Sequence, residues 1–131
     1  MASIFTKIIE GQIPAYKILE TEHFIAFLDV FPLVEGHTLV VPKLEVDNIL
    51  ELSPDTYSSL FAFTQRIGKA IQAAIPCTKV GIAVIGLEVP HAHIHLVPIN
   101  SADDLNFTRP KLSFSKEKFA SVQEAIISKL S

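Results

Sequence analysis

Apolar and polar positions follow different rhythms along this chain, and each rhythm predicts an element. Two short apolar runs, Tyr16–Leu19 and Phe24–Val30, flank the polar stretch Glu20-Thr21-Glu22-His23, which predicts successive strands about a turn. Leu33-Val34-Glu35-Gly36 turns the chain again. Thr38–Val41 is a run rich in β-branched residues, ended by Pro42, which cannot donate into a sheet ladder. A helical rhythm follows. Ser53 offers its hydroxyl to the first unpaired amides, and Pro54 sits where a missing N–H costs nothing. Tyr57, Leu60, Phe61, Thr64, Ile67 and Ile71 then recur at the helical period until Pro76. Val80–Ile85 predicts the next strand, residues 86–90 a loop, and His91–Pro98 a further strand. Residues 99–114 are polar and aperiodic, which predicts a surface loop or arm. Ser115 opens a final helix over 115–131, striped by Phe119, Val122, Ile126, Ile127 and Leu130.

These elements assemble into one α+β domain spanning 1–131: an antiparallel sheet of about five strands, a main helix across it and a C-terminal helix. At 131 residues and 49% hydrophobic, the chain has material for one core and no second domain. A net charge of −3 with 19% charged residues argues against dedicated nucleic-acid binding. No window holds the roughly 18 consecutive apolar residues a membrane span needs. The N-terminal residues lack the basic and apolar regions of a signal peptide, so a cytoplasmic location is expected. The single cysteine, Cys77, excludes an internal disulfide framework and a four-cysteine metal cluster, and reads as a buried apolar residue at a helix–strand junction.

The chemistry therefore falls to the histidines. In a strand, alternation places His91, His93 and His95 on one face and Ala92, Ile94 and Leu96 on the other, core-facing side. A neutral imidazole is a nucleophile and a proton carrier near pH 7, and it is also the commonest metal ligand. No Cys, Asp or Glu alternates with the three, so further metal ligands would come from a distance. Covalent or acid–base chemistry, a metal site and structural hydrogen bonding all remain open at this point. Gly86 and the loop through Glu88 and Val89 expose backbone amides ahead of the strand, a setting suited to an anion.

His91-Ala92-His93-Ile94-His95-Leu96-Val97 resembles the signature of the histidine triad (HIT) family. Phe5–Ala15, Phe27-Leu28-Asp29, Gly36–Lys43 and Gly86–Pro90 resemble further blocks of its bacterial-type members, so the likeness covers about residues 3–98. The resemblance implies a HIT-like fold and a homodimeric hydrolase or transferase acting on the α-phosphate of a nucleotide. It puts the nucleophile on His93 and contact with the transferred phosphate on His95. His91 takes a structural role, its ring often paired with His37 and its carbonyl orienting His93. Asp29 corresponds to the acid that receives the ribose hydroxyls; its plain reading is a cap on the turn before Pro32. Ile4, Phe5 and Ile25 would help enclose the base. Glu88 stands where relatives carry Ser or Thr, and either meets an amine leaving group or faces solvent. His23 has no matched role and reads as a surface residue.

Two departures matter. Some relatives hold zinc with a Cys-x-x-Cys pair plus the histidines matching His37 and His91, but Ser3 and Thr6 occupy the cysteine positions here. Hydroxyls are poor zinc ligands beside thiolates, so neither a metal nor a cofactor is expected. Relatives also carry Asn or Gln near Val80 or Gly81, and Gln at Leu87, so phosphate contacts are fewer here. Lys79 and Arg109 are the nearest cations in sequence on either side of the triad. The expected activity is hydrolysis of nucleoside 5′-phosphoramidates, of the adenosine 5′-monophosphoramidate type, through a nucleotidyl-histidine intermediate. A purine nucleotide would be the substrate, and the helix over 54–74 part of a homodimer interface. The alternatives are a dinucleoside polyphosphate hydrolase or nucleotidyltransferase, and a nucleotide-binding or interaction protein with incidental turnover.

Overall fold

Alternation along the strands sorts the apolar side chains into two cores on opposite faces of one sheet. A computed structural model describes residues 2–131. The elements are α1 (Ile4–Ile9), β1 (Lys17–Glu20), β2 (Phe24–Leu28), β3 (Thr38–Pro42), α2 (Pro54–Ala74), β4 (Lys79–Ala83), β5 (Ile94–Ile99) and α3 (Lys116–Ile127), with short 3-10 turns at Ile49–Glu51 and Ala102–Leu105. The five strands lie in the order β1-β2-β3-β5-β4, every neighbouring pair antiparallel. The expected α+β architecture with a main and a C-terminal helix is the one observed. Helix α2 carries the chain from β3 to the far edge, and β5 returns between β3 and β4, so the triad segment feeds a central strand.

Phe24, Ala26, Leu28, Val40, Ile94 and Leu96 turn toward α2 and α3 and form the main core. Helix α2 is anchored there by Leu60, Ile67 and Ile71, which have no exposed surface. Burial of each is worth roughly 1.5–3 kcal/mol. The opposite face collects Ile25, Phe27, Leu39 and Val41 under Phe5 and Ile8 of α1. The ladder runs one residue beyond β2, since Asp29 N–H donates to the His37 carbonyl at 3.0 Å. Asp29 and His37 thus continue the register of Phe27 and Leu39, and His95 lies opposite Leu39 on β5. Parity gathers all three on the face of α1. A helix of six residues covers only part of that face, and the histidines hold the rest.

Gly36 delivers His37 to this face. Its φ of +94° is left-handed, and a Cβ there would meet Ile75 Cγ1 and Pro98 Cγ at 3.1 Å. Glycine satisfies both constraints at once.

Several expected boundaries shift. Helix α1 does not stand out in the sequence because two buried positions in six residues are too few to establish a period; its Ser3 cap, which accepts from Thr6 N–H, is the signal that marks it. β2 stops at Leu28, before Val30, and β4 stops at Ala83, leaving Val84 and Ile85 exposed in the following loop. β5 begins at Ile94 instead of His91. Ala92 N–H donates to the Val46 carbonyl and His91 N–H to that of Val89, so the backbone amides of residues 91 and 92 bond to loops and not to β3. The sidedness read from alternation still holds, with Ala92, Ile94 and Leu96 together in the main core. Helix α3 ends at Ile127, short of residue 131. Cys77 is half-buried, not fully enclosed, because it lies on the connection from α2 to β4.

Candidate active site

The chemistry of His93 is set by one backbone contact. Its Nδ1 lies 2.7 Å from the His91 carbonyl oxygen. A carbonyl only accepts, so Nδ1 carries the hydrogen and Nε2 keeps a free lone pair. Phe5 packs its ring against the imidazole in an edge-on arrangement, centroids 4.9 Å apart. Burial holds the pKa of His93 below the usual histidine range, which keeps the ring neutral.

His95 takes the opposite tautomer, and a backbone amide again decides it. Leu33 N–H donates to His37 Nδ1 at 3.0 Å, so the His37 hydrogen is on Nε2. That atom lies 2.9 Å from His95 Nδ1, which must accept, leaving the His95 hydrogen on Nε2. Two imidazoles 4.9 Å apart therefore present a lone pair and an N–H respectively. Burial first, then the neighbouring imidazole, lowers His37 to about 3 and His95 to about 4. The ring paired with His37 is thus that of His95, not that of His91. Their common parity on the sheet face brings them together.

Asp29 closes this cluster, Oδ2 standing 3.7 Å from His37 Nε2. Its Oδ1 accepts from Phe31 N–H at 2.8 Å, which is the turn cap read from the sequence. Its other oxygen remains available, and burial raises the carboxyl to about 6. Asp29, His37 and His95 bring ligand-type atoms within 4.8 Å of one another. A cation there would need lone pairs on His37 Nε2 and His95 Nδ1 at once. The single hydrogen between them, locked by the Leu33 amide, opposes this.

His91 faces elsewhere. Its Nε2 donates to the Pro42 carbonyl at 2.8 Å, so its Nδ1 accepts from Ser3 Oγ at 2.7 Å. Ser3 N–H and the Thr6 hydroxyl both donate to Glu45 Oε1. Those bonds hold the Glu45 carboxyl down at about 2. Ser3, Thr6 and His91 do come together, but the fourth member is Glu45 and not His37, which lies in the other cluster. Two hydroxyls, a carboxylate and an imidazole whose nitrogens are both engaged do not suit zinc. Among the described residues, no buried side-chain nitrogen or oxygen lacks a hydrogen-bond partner, so no orphaned donor set points to an ion.

The arm contributes groups that sequence reasoning missed. Phe107 packs edge-on against both rings, its centroid 4.7 Å from that of His95 and 6.1 Å from that of His37. Lys111 donates to the carbonyls of Phe107 and Arg109 at 2.6 and 3.3 Å. It lines a cavity of about 200 Å³ together with Gly86, Glu88, Val89, His93 and His95. Arg109 is held instead by Asp103 and Asp104 at 3.6 and 3.4 Å. No periodicity marks Lys111; the aromatic Phe107 in a polar stretch was the one hint. A second cavity, of about 640 Å³, reaches His93 between the Ile49–Glu51 turn, Tyr57 and Phe61 of α2, and residues 84–87. Ile4 is exposed and Phe5 nearly buried, whereas Ile25 has no exposed surface. Ile25 therefore underlies the site within the minor core and does not line it, because it faces α1. His23 is exposed beside Glu22.

Comparison with known proteins bears on the family and the fold. Residues 10–102 match the family described as HIT domain. The chain is 33% identical over 132 residues to adenosine 5′-monophosphoramidase hnt1 of Schizosaccharomyces pombe, covering 99% of each. Its fold is similar to the crystal structure of a Hit-like protein involved in cell-cycle regulation from Bartonella henselae, with a TM-score of 0.84 and 26% identity over 98% of this chain and 96% of that one. It is also similar to a zinc-bound histidine triad family protein from Mycobacterium smegmatis, with a TM-score of 0.82 and 30% identity over 98% and 95%.

Proposed function

The chain belongs to the HIT domain family, and on that premise we propose that it hydrolyses nucleoside 5′-phosphoramidates of the adenosine 5′-monophosphoramidate type. The observation that carries the reading is the pair of opposed tautomers: His93 offers Nε2 as a nucleophile beside the His95 N–H. The phosphoramidase relative at 33% identity supports the choice of P–N bond. Nε2 of His93 attacks the α-phosphorus, the P–N bond breaks, and the amine departs with a proton from solvent water. Water then attacks phosphorus, loses a proton to solvent, and releases the nucleoside monophosphate from neutral His93. The His95 N–H stabilises charge developing on the phosphoryl group. Asp29 Oδ2 receives the ribose hydroxyls, and Ile4 and Phe5 lie toward the base. The loop amides from Gly86 to Val89 approach the phosphate.

A second copy of the chain would cover the 640 Å³ groove and the edge strand β4, where Leu50 and Ile82 are exposed, giving a homodimer through α2 and β4. The functional test is side-by-side hydrolysis of adenosine 5′-monophosphoramidate and diadenosine polyphosphates by metal-free protein. AMP release from the phosphoramidate is the expected result. Preference for the dinucleotide would move the substrate class, and silence on both despite AMP binding would favour a binding role.

Ser3 has a role at one remove from the reaction. Its hydroxyl pins the His91 ring, and the His91 carbonyl holds His93 Nδ1–H. Ser3→Ala is expected to lower kcat about tenfold with KM little changed, the scale typical of lost outer-shell orientation. Ser3→Thr, which retains the hydroxyl and the cap, restores the rate. Equal losses in both variants would contradict the positioning role.

A further inference from the structure

One peptide plane decides where the His93 hydrogen sits, and it is held from both ends. The unit joining His91 to Ala92 is planar, so its C=O and N–H point in opposite directions and turn together. The N–H donates to the Val46 carbonyl at 2.6 Å, and the C=O receives His93 Nδ1–H at 2.7 Å. Val46 thereby aims the carbonyl at His93. The His91 ring steadies the same residue, with Nε2 on the Pro42 carbonyl and Nδ1 on Ser3 Oγ.

Val46 lies in the loop after β3, next to the residue that ties this loop to the start of the chain. Glu45 Oε1 accepts from Ser3 N–H at 2.8 Å and from the Thr6 hydroxyl, donors 42 and 39 residues away in sequence. Helix α1 has six residues and buries only Phe5 and Ile8, so packing gives its first turn little hold. The Ser3 amide, and then the Thr6 hydroxyl, hold the Glu45 carboxyl at about 2, which keeps it an acceptor with no hydrogen of its own.

Glu45 also sorts the hydrogens of the two hydroxyls. Each hydroxyl carries one hydrogen. Thr6 Oγ1 stands 3.3 Å from Ser3 Oγ and 3.5 Å from His91 Nδ1. With the Thr6 hydrogen given to Glu45, Ser3 alone supplies the lone pair on His91 Nδ1. Without the carboxylate the Thr6 hydrogen turns toward Ser3 or His91, and two donors meet one lone pair. Glu45 Oε1 lies 3.9 Å from His91 Nδ1. Both atoms are acceptors, so the carboxylate makes no bond to the ring.

We infer that Glu45 is a positioning residue for the nucleophile, a role that rests on His93 making the attack. It ties the loop to α1, so that the Val46 carbonyl and the Ser3 hydroxyl together keep the His91 carbonyl on His93 Nδ1–H. A surface carboxylate that touches neither substrate nor the reacting nitrogen thus helps to keep Nε2 of His93 free of hydrogen.

The test joins a spectroscopic readout of the His93 ring to the kinetics of adenosine 5′-monophosphoramidate hydrolysis. Long-range proton–nitrogen NMR spectra distinguish the two neutral tautomers by the shifts of their ring nitrogens. Wild type is expected to show His93 in the Nδ1–H form alone. Glu45→Ala should shift the ring to a mixture of tautomers and lower kcat about tenfold, with KM little changed, the scale of lost outer-shell orientation. Glu45→Gln keeps an acceptor oxygen at the same reach and is expected to restore both readouts. Glu45 is exposed, so neither change threatens the core. A Glu45→Ala protein that keeps the pure tautomer or the wild-type kcat overturns the role, as does a loss in Glu45→Gln as deep as that in Glu45→Ala. The tautomer needs no substrate. Absence of wild-type turnover therefore overturns the phosphoramidate reading alone, and the spectra still decide whether Glu45 positions His93.

Discussion

His93→Ala is expected to reduce nucleotide hydrolysis by at least about 10⁴-fold, while AMP affinity stays within a few-fold of wild type. No neighbouring group can take over the attack. His95 presents an N–H toward the site because its Nδ1 accepts from His37, and that arrangement is locked by the Leu33 amide. His91 has both ring nitrogens engaged, with Ser3 and Pro42. Binding depends instead on groups the substitution leaves in place, Asp29 and the loop amides among them. The measurement pairs rapid-quench detection of the protein-bound nucleotidyl intermediate with calorimetry of AMP binding. His93→Gln, which retains most of the volume beside Phe5, should behave alike and guards against a packing defect. Loss of affinity in step with loss of rate would remove His93 from the nucleophile's role.

Acid is expected to weaken the fold itself, by on the order of 3 kcal/mol between pH 6.5 and pH 4. His37 and His95 fall from the ordinary 6.5 to about 3 and about 4 in the folded protein. The unfolded chain therefore binds those protons more readily than the folded one. Their contribution is complete above pH 6.5 and declines as the pH drops toward the folded values. Asp29 acts in the other direction. Its folded value of about 6 lies above the ordinary 3.8, so it favours the folded state in acid and loses that contribution as pH rises through 6. Two imidazoles outweigh one carboxyl, and the net effect is loss of stability on acidification. Denaturant unfolding at pH 7, 5.5 and 4.5 reads this directly. A midpoint that does not fall would mean that the cluster takes up protons without cost, against the burial seen for His37 and His95. The same burial keeps His93 in its nucleophilic form at neutral pH.

Much of this was legible before any coordinates. Ser53, Pro54 and the stripe from Tyr57 to Ile71 marked α2 to the residue, because capping and helical period are local properties. The resemblance carried by the triad motif points to His93 as the nucleophile, and Asp29 is a candidate from its place after Phe27-Leu28. The misreadings were non-local. The resemblance pairs His37 with His91 because a motif carries roles but not distances; the fold pairs it with His95. Glu45 carries no signal in the sequence because it meets Ser3 and Thr6 only after β2 and β3 have folded back past α1. The sequence groups Ile25 with residues enclosing the base because an apolar residue on a strand looks the same whichever face it takes.

The sequence by itself determined the five strands, helices α2 and α3 and the sidedness of the sheet, and it drew attention to the histidines, since periodicity, caps and residue chemistry all act over a few residues. Only the tertiary structure decided that His95 takes the tautomer opposite to that of His93. That choice belongs to the His91 carbonyl and the Leu33 amide, backbone groups whose positions depend on the packing of β3 against β5. It also brought Phe107 and Lys111 to the triad, since an aperiodic arm takes its path from the surface it crosses.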